Sequence, residues 1–186
     1  LSRSSMARTI QALKICKRKL KKHEVGHMRL VATEACRRAT NAQNFMRYVE
    51  RETGLKLEII KPEEEAMLAV VSCAPLVSTR TEQLLVVDIG GGSTELVWID
   101  LSAVPPADRP RSIMRLRSGF KGDMGPFPAA RVVDWISVPL GVATLREQFD
   151  DVEDDSARFA LMSWYFEEQL DAFSPFHSEQ NREGFQ

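Results

Sequence analysis

The stretch LLVVDIGGGSTELVWID, residues 84–100, constrains the fold more than any other part of the chain. Two apolar runs flank three consecutive glycines, a pattern that predicts a strand, a tight turn and a second strand. Asp88 precedes the glycines and Glu95 follows them. A hairpin turn alone explains the glycines, but it does not explain why two carboxylates flank them. A turn whose N–H groups face one way can bind an anion, and carboxylate oxygens bind a hard cation such as Mg²⁺.

Common nucleotide-binding motifs do not account for these glycines. A dinucleotide fingerprint needs a third glycine where Glu95 stands and a helix where residues 93–99 read as a strand. The Walker pattern GxxxxGK[ST] is absent from the sequence. The stretch therefore predicts a site for a phosphate chain and Mg²⁺. Its candidate metal ligands are Asp88 and Glu95, and its candidate phosphate-binding residues are Gly90, Gly91, Gly92, Ser93 and Thr94.

The order of helical and strand patterns along the rest of the sequence predicts an α/β protein that consists of two segments. Residues 1–75 read as helix, strand, helix broken near Asn41, strand, and a helix that begins at Pro62. Residues 83–186 read as three strands and two helices, with a polar, frayed tail from residue 174. Residues 101–130, rich in Pro, Gly and Arg, are predicted to form a long loop or an insertion. We expect each segment to belong to a separate domain.

Composition narrows the class of protein. With 44% apolar and 27% charged residues, the 186-residue chain resembles a folded globular domain. Its net charge of -1 gives no reason to expect a sequence-specific nucleic-acid partner, and its lysine-rich segment, residues 8–29, is typical of a solvated helix face. No apolar run is long enough for a membrane span. Three widely spaced cysteines favour reduced thiols in a cytoplasmic protein, and a homodimer is a candidate assembly.

The segment HEVGH, residues 23–27, matches the HExxH pattern of zinc hydrolases. That chemistry requires both histidines on one face of a continuous helix. Gly26 lies between them, a strand is predicted directly afterwards, and no third ligand is indicated. We therefore predict that this segment does not bind zinc.

Four motifs, in this order and spacing, resemble the exopolyphosphatase and guanosine pentaphosphate phosphohydrolase (Ppx/GppA) family. They are VATEACRRATNAQNF, EIIKPEEEA, LLVVDIGGGSTELV and ISVPLGVATLREQF. The resemblance implies the two-domain, ribonuclease H-like fold of the actin-like ATPase and sugar-kinase superfamily, with the active site in the cleft between domains. It also implies Mg²⁺ as cofactor. The implied substrates are inorganic polyphosphate, or guanosine pentaphosphate of the stringent response.

The same resemblance implies roles for individual residues. Glu65 matches the proposed general base, although its place in the first helical turn is also explained by the helix dipole. Asp88, Gly90 and Glu95 match the metal and phosphate-loop positions of the family. Arg37 matches an arginine that contacts substrate phosphate.

The sequence differs from the family pattern in two places. Nothing before Met28 supplies the first phosphate loop that the family carries, so we expect a central fragment of the enzyme, whose activity without that loop is left open. Lys61 and Pro62 stand where a small residue and glycine are usual. Two alternatives remain open on the same fold: a phosphate- or nucleotide-binding regulator without turnover, and an ATPase or kinase.

Overall fold

A computed structural model describes residues 1–116 and 130–177 of the chain. The chain forms two compact units, Leu1–Lys61 and Pro62–Gln186. The helix that begins at Pro62 thus falls in the second unit, whereas the sequence pattern placed it with residues 1–75. The limits of the domains themselves remain a prediction.

The first unit contains three helices and a two-stranded parallel sheet. Its helices are α1 (Arg3–Lys22), α2 (Glu34–Arg38) and α3 (Ala42–Thr53), and its strands are β1 (Val31–Ala32) and β2 (Glu58–Ile59). Helix α1 packs on α3, and Val31 pairs with Glu58. The side chains of its core come from all three helices and from the segment before β2: Ile10, Cys36, Ala42, Phe45, Val49 and Leu55.

Local signals set the helix ends of the first unit. The hydroxyl of Ser2 accepts a hydrogen bond from the Ser5 N–H and caps α1. The predicted break near Asn41 is confirmed, since α2 and α3 are separate helices. Gly54 ends α3 with φ of 67°, a left-handed conformation that glycine adopts without steric cost. The two predicted strands of this unit are present but short, and only two residue pairs form the parallel ladder between them.

The HEVGH segment is not a helix in this fold. Helix α1 ends at Lys22 and His23 is its C-cap, so the two histidines do not share a helical face. Glu24 has φ of 51°, which a continuing helix would not allow. The segment therefore lacks the continuous helix that the zinc-hydrolase motif requires, and the absence of zinc binding stays a prediction.

The second unit is built on a three-stranded antiparallel sheet in the order β3-β4-β5, with β3 at Gln83–Ile89, β4 at Thr94–Asp100 and β5 at Arg131–Val138. Helices α4 (Pro62–Ser72) and α5 (Arg109–Arg115) cover one face, where Val70, Val97 and Ile113 are buried. Three helices follow β5 within residues 139–177: α6 (Val142–Gln148), α7 (Asp155–Leu170) and α8 (Ser174–His177). The opposite sheet face packs against side chains of α7, in a cluster with Leu96, Trp98 and Phe173.

Residues 101–130 were predicted to form a long loop or an insertion, and the loop alternative is wrong over Arg109–Arg115, which form α5. Arg109 is buried in this helix, and its guanidinium donates to the carbonyls of Val104 and Thr79. Ile113 and Leu116 are buried on the same segment, so packing against the unit's core stabilises the helix. Residues 117–129 lie outside the described residues.

The beginning of the tail is ordered by a carboxylate. Asp134 on β5 accepts hydrogen bonds from the N–H and the hydroxyl of Ser174, at 2.8 and 2.6 Å, where α8 begins. The tail was predicted to be frayed from residue 174, and that prediction is wrong over Ser174–His177. Residues 178–186 lie outside the described part of the chain.

Within residues 1–116 and 130–177, no helix combines the length and the apolar character needed to cross a membrane.

Candidate active site

The three glycines form the tip of the hairpin between β3 and β4, as predicted. Asp88 lies opposite Glu95 in the ladder and Ile89 lies opposite Thr94. The Gly90 N–H donates to the Ser93 carbonyl at 2.9 Å and closes the turn. A Cβ atom at Gly90 would lie 3.1 Å from that carbonyl oxygen, so the turn leaves little room for a side chain there. The hairpin thus presents a bare backbone turn between two carboxylates.

The hydroxyl groups beside the turn have partners within the protein. Thr94 is buried and its hydroxyl donates to the Leu140 carbonyl at 2.7 Å. Ser93 is buried as well, and its hydroxyl lies beside the Glu95 carboxylate, whose pKa it lowers. A hydroxyl has one proton to donate. Among the predicted phosphate-binding groups, the backbone N–H groups of the turn are therefore better placed as donors than these two hydroxyls.

Glu95 is the most deeply buried charged side chain of the turn, with 1% of its surface exposed. Burial raises the pKa of its carboxyl group, while hydrogen bonds from Ser137 and Ser93 act in the opposite direction. The Ser137 hydroxyl donates to Glu95 Oε1 at 2.8 Å. The negative charges of Glu65 and Asp88 raise the pKa of Glu95 further. The three carboxylates therefore lie close enough to interact electrostatically.

The sheet explains how these groups meet. Residues directly opposite each other on neighbouring strands place their side chains on the same face. Asp88, Glu95 and Ser137 lie opposite one another on β3, β4 and β5 and form one row across the sheet. Glu65 lies in the first turn of α4, the helix that packs on this same face. The structure thus brings together Glu65, Asp88 and Glu95, which the sequence separates by up to 30 positions.

The donor set fits a hard divalent cation that shares its coordination with other ligands. No three His, Cys, Asp or Glu side chains within the described residues converge tightly enough to hold a metal ion by themselves. Asp88 and Glu95 do provide neighbouring carboxylate oxygens, and no ion pair with a described basic residue balances Glu95. Mg²⁺ is commonly bound by one or two carboxylates together with water and substrate phosphates. These two residues are therefore suited to such an ion.

Arg37 belongs to the first unit, on α2. Its guanidinium donates to the Glu34 carboxylate at 3.0 Å and to the Ile60 carbonyl at 3.0 Å. These bonds fix the orientation of the side chain within that unit. The role of Arg37 toward phosphate stays a prediction.

Gly141 is a residue of this site that sequence reasoning missed. It lies directly before α6, and a Cβ atom there would come within 2.5 Å of the Gly90 carbonyl oxygen and 2.6 Å of the Gly92 nitrogen. The first N–H groups of α6 donate to the carbonyls of Gly90 and Gly91. The only sequence signal was a glycine directly before a predicted helix, in ISVPLGVATLREQF.

Comparison with known proteins relates this chain to one phosphatase family. The model of the Ppx/GppA phosphatase family matches residues 1–173. The solved structure of the Aquifex aeolicus PPX-GPPA enzyme is 30% identical, with a TM-score of 0.58, and the match covers 92% of this chain and 48% of that one. An exopolyphosphatase-like protein is 25% identical with a TM-score of 0.68, over 91% of this chain and 47% of that one.

An exopolyphosphatase from Cytophaga hutchinsonii has the same fold, with a TM-score of 0.68 at 24% identity, over 91% of this chain and 46% of that one. The chain spans about half the length of the solved relatives it matches.

Proposed function

The chain belongs to the Ppx/GppA phosphatase family and has the actin-like ATPase fold of its enzymes, and on that premise we propose that the intact protein hydrolyses phosphoanhydride bonds. The proposed substrates are inorganic polyphosphate, from which the terminal phosphate is released, and guanosine pentaphosphate, from which the 5′ γ-phosphate is released. The observation that carries the proposal is the row of Asp88 and Glu95 beside a bare glycine turn, with Glu65 on the helix above it.

In this proposal Glu65 is the general base. Its carboxylate accepts a proton from a water molecule as the water oxygen attacks the terminal phosphorus, and the bridging phosphoanhydride oxygen leaves with the shortened chain. Glu65 suits this position because α4 holds it over the sheet face that carries the other two carboxylates. Orientation of the water is as important as proton transfer, since positioning and electrostatics dominate phosphoryl transfer.

Asp88 and Glu95 are the proposed ligands of Mg²⁺. When bound, this ion would supply positive charge to the phosphate oxygens and offset the charge that develops there. The Ser137 hydroxyl donates to Glu95 Oε1 and holds the carboxylate in one orientation. The glycine turn of Gly90, Gly91 and Gly92 offers backbone N–H groups to the phosphate oxygens.

Two further roles complete the proposed site. Thr94 supports the phosphate-binding turn through its hydrogen bond to the Leu140 carbonyl, and Ser93 supports it through its own carbonyl, which accepts from the Gly90 N–H. Arg37 is proposed to contact substrate phosphate, because a planar guanidinium can donate to several oxygen acceptors at once.

The test is phosphate release by the intact protein from long-chain polyphosphate and from guanosine pentaphosphate, with Mg²⁺ present. In Glu65→Gln we expect release to fall by about 10²-fold or more, because the amide cannot accept the proton. Glu63→Gln is the matched control, since Glu63 is an exposed carboxylate in the same helical turn. Its activity should stay within about twofold of the wild type, as for most surface substitutions.

Equal release by Glu65→Gln and the wild type would refute the role of Glu65. Binding of either substrate without release by the wild type would instead favour the regulator on the same fold. Release of phosphate from ATP in preference to both substrates would favour the ATPase or kinase.

A further inference from the structure

The first turn of α6 holds the glycine turn through hydrogen bonds that point in one direction. The N–H groups of Val142 and Ala143 donate to the carbonyls of Gly90 and Gly91, at 3.0 and 2.9 Å, and Thr144 donates to Gly91 at 3.3 Å. The first N–H groups of a helix have no acceptor within the helix itself. In this protein the carbonyls of the glycine turn satisfy them, so the two elements fix each other.

These bonds decide where the N–H groups of the turn point. In a trans peptide the carbonyl and the following N–H point in opposite directions. No cis peptide occurs in the described residues. Because the carbonyls of Gly90 and Gly91 face α6, the N–H groups of Gly91 and Gly92 face away from it. Neither N–H has a hydrogen-bond acceptor within the described part of the chain.

Gly141 allows this arrangement through its size alone. Its backbone is extended, with φ of -133° and ψ of -178°, and any residue can adopt that conformation. A Cβ atom, however, would lie 2.5 Å from the carbonyl carbon of Gly91 and 2.6 Å from the nitrogen of Gly92. These are the two atoms of the peptide bond that carries the Gly92 N–H. An alanine at this position must therefore displace that peptide.

We infer that Gly141 is a positioning residue, which lets the first turn of α6 aim the Gly91 and Gly92 N–H groups together at one phosphate group of the substrate. The inference rests on the proposed function for the chemistry of the ligand. Two adjacent N–H groups that face the same way form an anion-binding nest. Because the Thr94 hydroxyl donates to the Leu140 carbonyl and the Ser93 hydroxyl is buried beside the Glu95 carboxylate, these two amides are the main phosphate donors of the turn.

The test measures binding of inorganic tripolyphosphate to the intact protein, selectively labelled with ¹⁵N-glycine. Calorimetry gives the affinity, and the amide signals of Gly91 and Gly92 report where the anion sits. In the wild type we expect both signals to shift on titration. In Gly141→Ala we expect affinity to fall by about 10-fold or more, with smaller shifts of both signals, because two donors to a charged group are misaligned.

Val142→Pro tests whether the hydrogen bonds from α6 orient the glycine turn, without adding a Cβ atom at position 141. Proline is well tolerated at the first position of a helix and favours an extended residue before it, as Gly141 is. The substitution removes the N–H that donates to Gly90, and we expect affinity to fall roughly 2- to 10-fold. Gly26→Ala is the control, since a Cβ atom at Gly26 has no neighbour within 4 Å, and its affinity should stay within about twofold.

The outcomes separate this inference from the proposed function. Wild-type affinity and wild-type glycine shifts in both variants would overturn the role of Gly141, even if the protein hydrolyses phosphoanhydrides. Tripolyphosphate binding that leaves the Gly91 and Gly92 signals unmoved would overturn the role of the two amides. Shifts and losses as expected, in a protein that releases no phosphate, would support the inference and refute the hydrolase. If Gly141→Ala fails to fold, the tripolyphosphate affinity of Val142→Pro decides whether the first turn of α6 orients the two amides.

Discussion

Asp100→Asn should destabilise the sheet that carries the candidate site. Asp100 ends β4, and its carboxylate accepts hydrogen bonds from the N–H and hydroxyl of Ser102, at 2.9 and 2.6 Å. Arg131 on β5 donates to the other carboxylate oxygen at 2.7 Å. These contacts tie β4 to β5 and to the following turn. The Ser102 hydroxyl and Arg131 lower the pKa of Asp100 from 3.8 to about 2.

The size of the effect follows from that pKa. Each factor of ten in proton affinity is worth about 1.4 kcal/mol, so the carboxylate contributes about 2 kcal/mol to the free energy of unfolding at neutral pH. The Asp100 side chain is 17% exposed, so solvent screening reduces this value only modestly. Because the pKa is lower in the folded state, the contribution is present above pH 3.8. It is lost as the pH falls through about 2.

Urea unfolding between pH 7 and pH 2 measures this contribution. We expect Asp100→Asn to lose about 2 kcal/mol at pH 7, and the difference from the wild type to shrink as the pH approaches 2. Asp151→Asn is the control, because Asp151 is exposed and should change stability by less than about 0.5 kcal/mol. A loss below about 0.5 kcal/mol in Asp100→Asn, or a loss that persists unchanged at pH 2, would refute the reasoning.

Two other predictions concern the same sheet. Burial and the neighbouring carboxylates raise the pKa of Glu95 above 4.5, so the wild type should lose stability as the pH rises from about 4.5 through the pKa of the folded state. Glu95→Gln should remove that loss and raise the thermal midpoint at pH 7. A lower midpoint for the variant would contradict this prediction. Ile99→Ala should cost about 3 kcal/mol in urea unfolding because Ile99 is fully buried, whereas Val87→Ala, at a position 49% exposed on the same sheet, should cost less than about 1 kcal/mol. Similar costs at the two positions would mean that the sheet faces are assigned incorrectly.

The elements with local signals could be predicted from the sequence. The hairpin at residues 84–100 formed as expected because its glycines and apolar runs specify a turn between strands within one short segment. The helix that begins at Pro62 and the helix that ends at Gly54 follow from a proline at a helix start and a glycine at a helix stop. The family motifs pointed to Glu65, Asp88 and Glu95 as a group, and the structure brings their charges together.

Contacts between distant residues were decided only by the tertiary structure. The Thr94 hydroxyl bonds the Leu140 carbonyl, 46 positions away, which no local pattern encodes. Arg109 looked like an exposed loop residue because its neighbours in sequence are polar or proline, yet its stem and guanidinium are buried by packing in the second unit. In the sequence, Gly141 is only a glycine that precedes a predicted helix. Its importance arises because the fold brings the backbone of the glycine turn within 2.6 Å of where its Cβ would be. Periodicity and turn chemistry act over a few residues, whereas such close approaches depend on how whole elements pack.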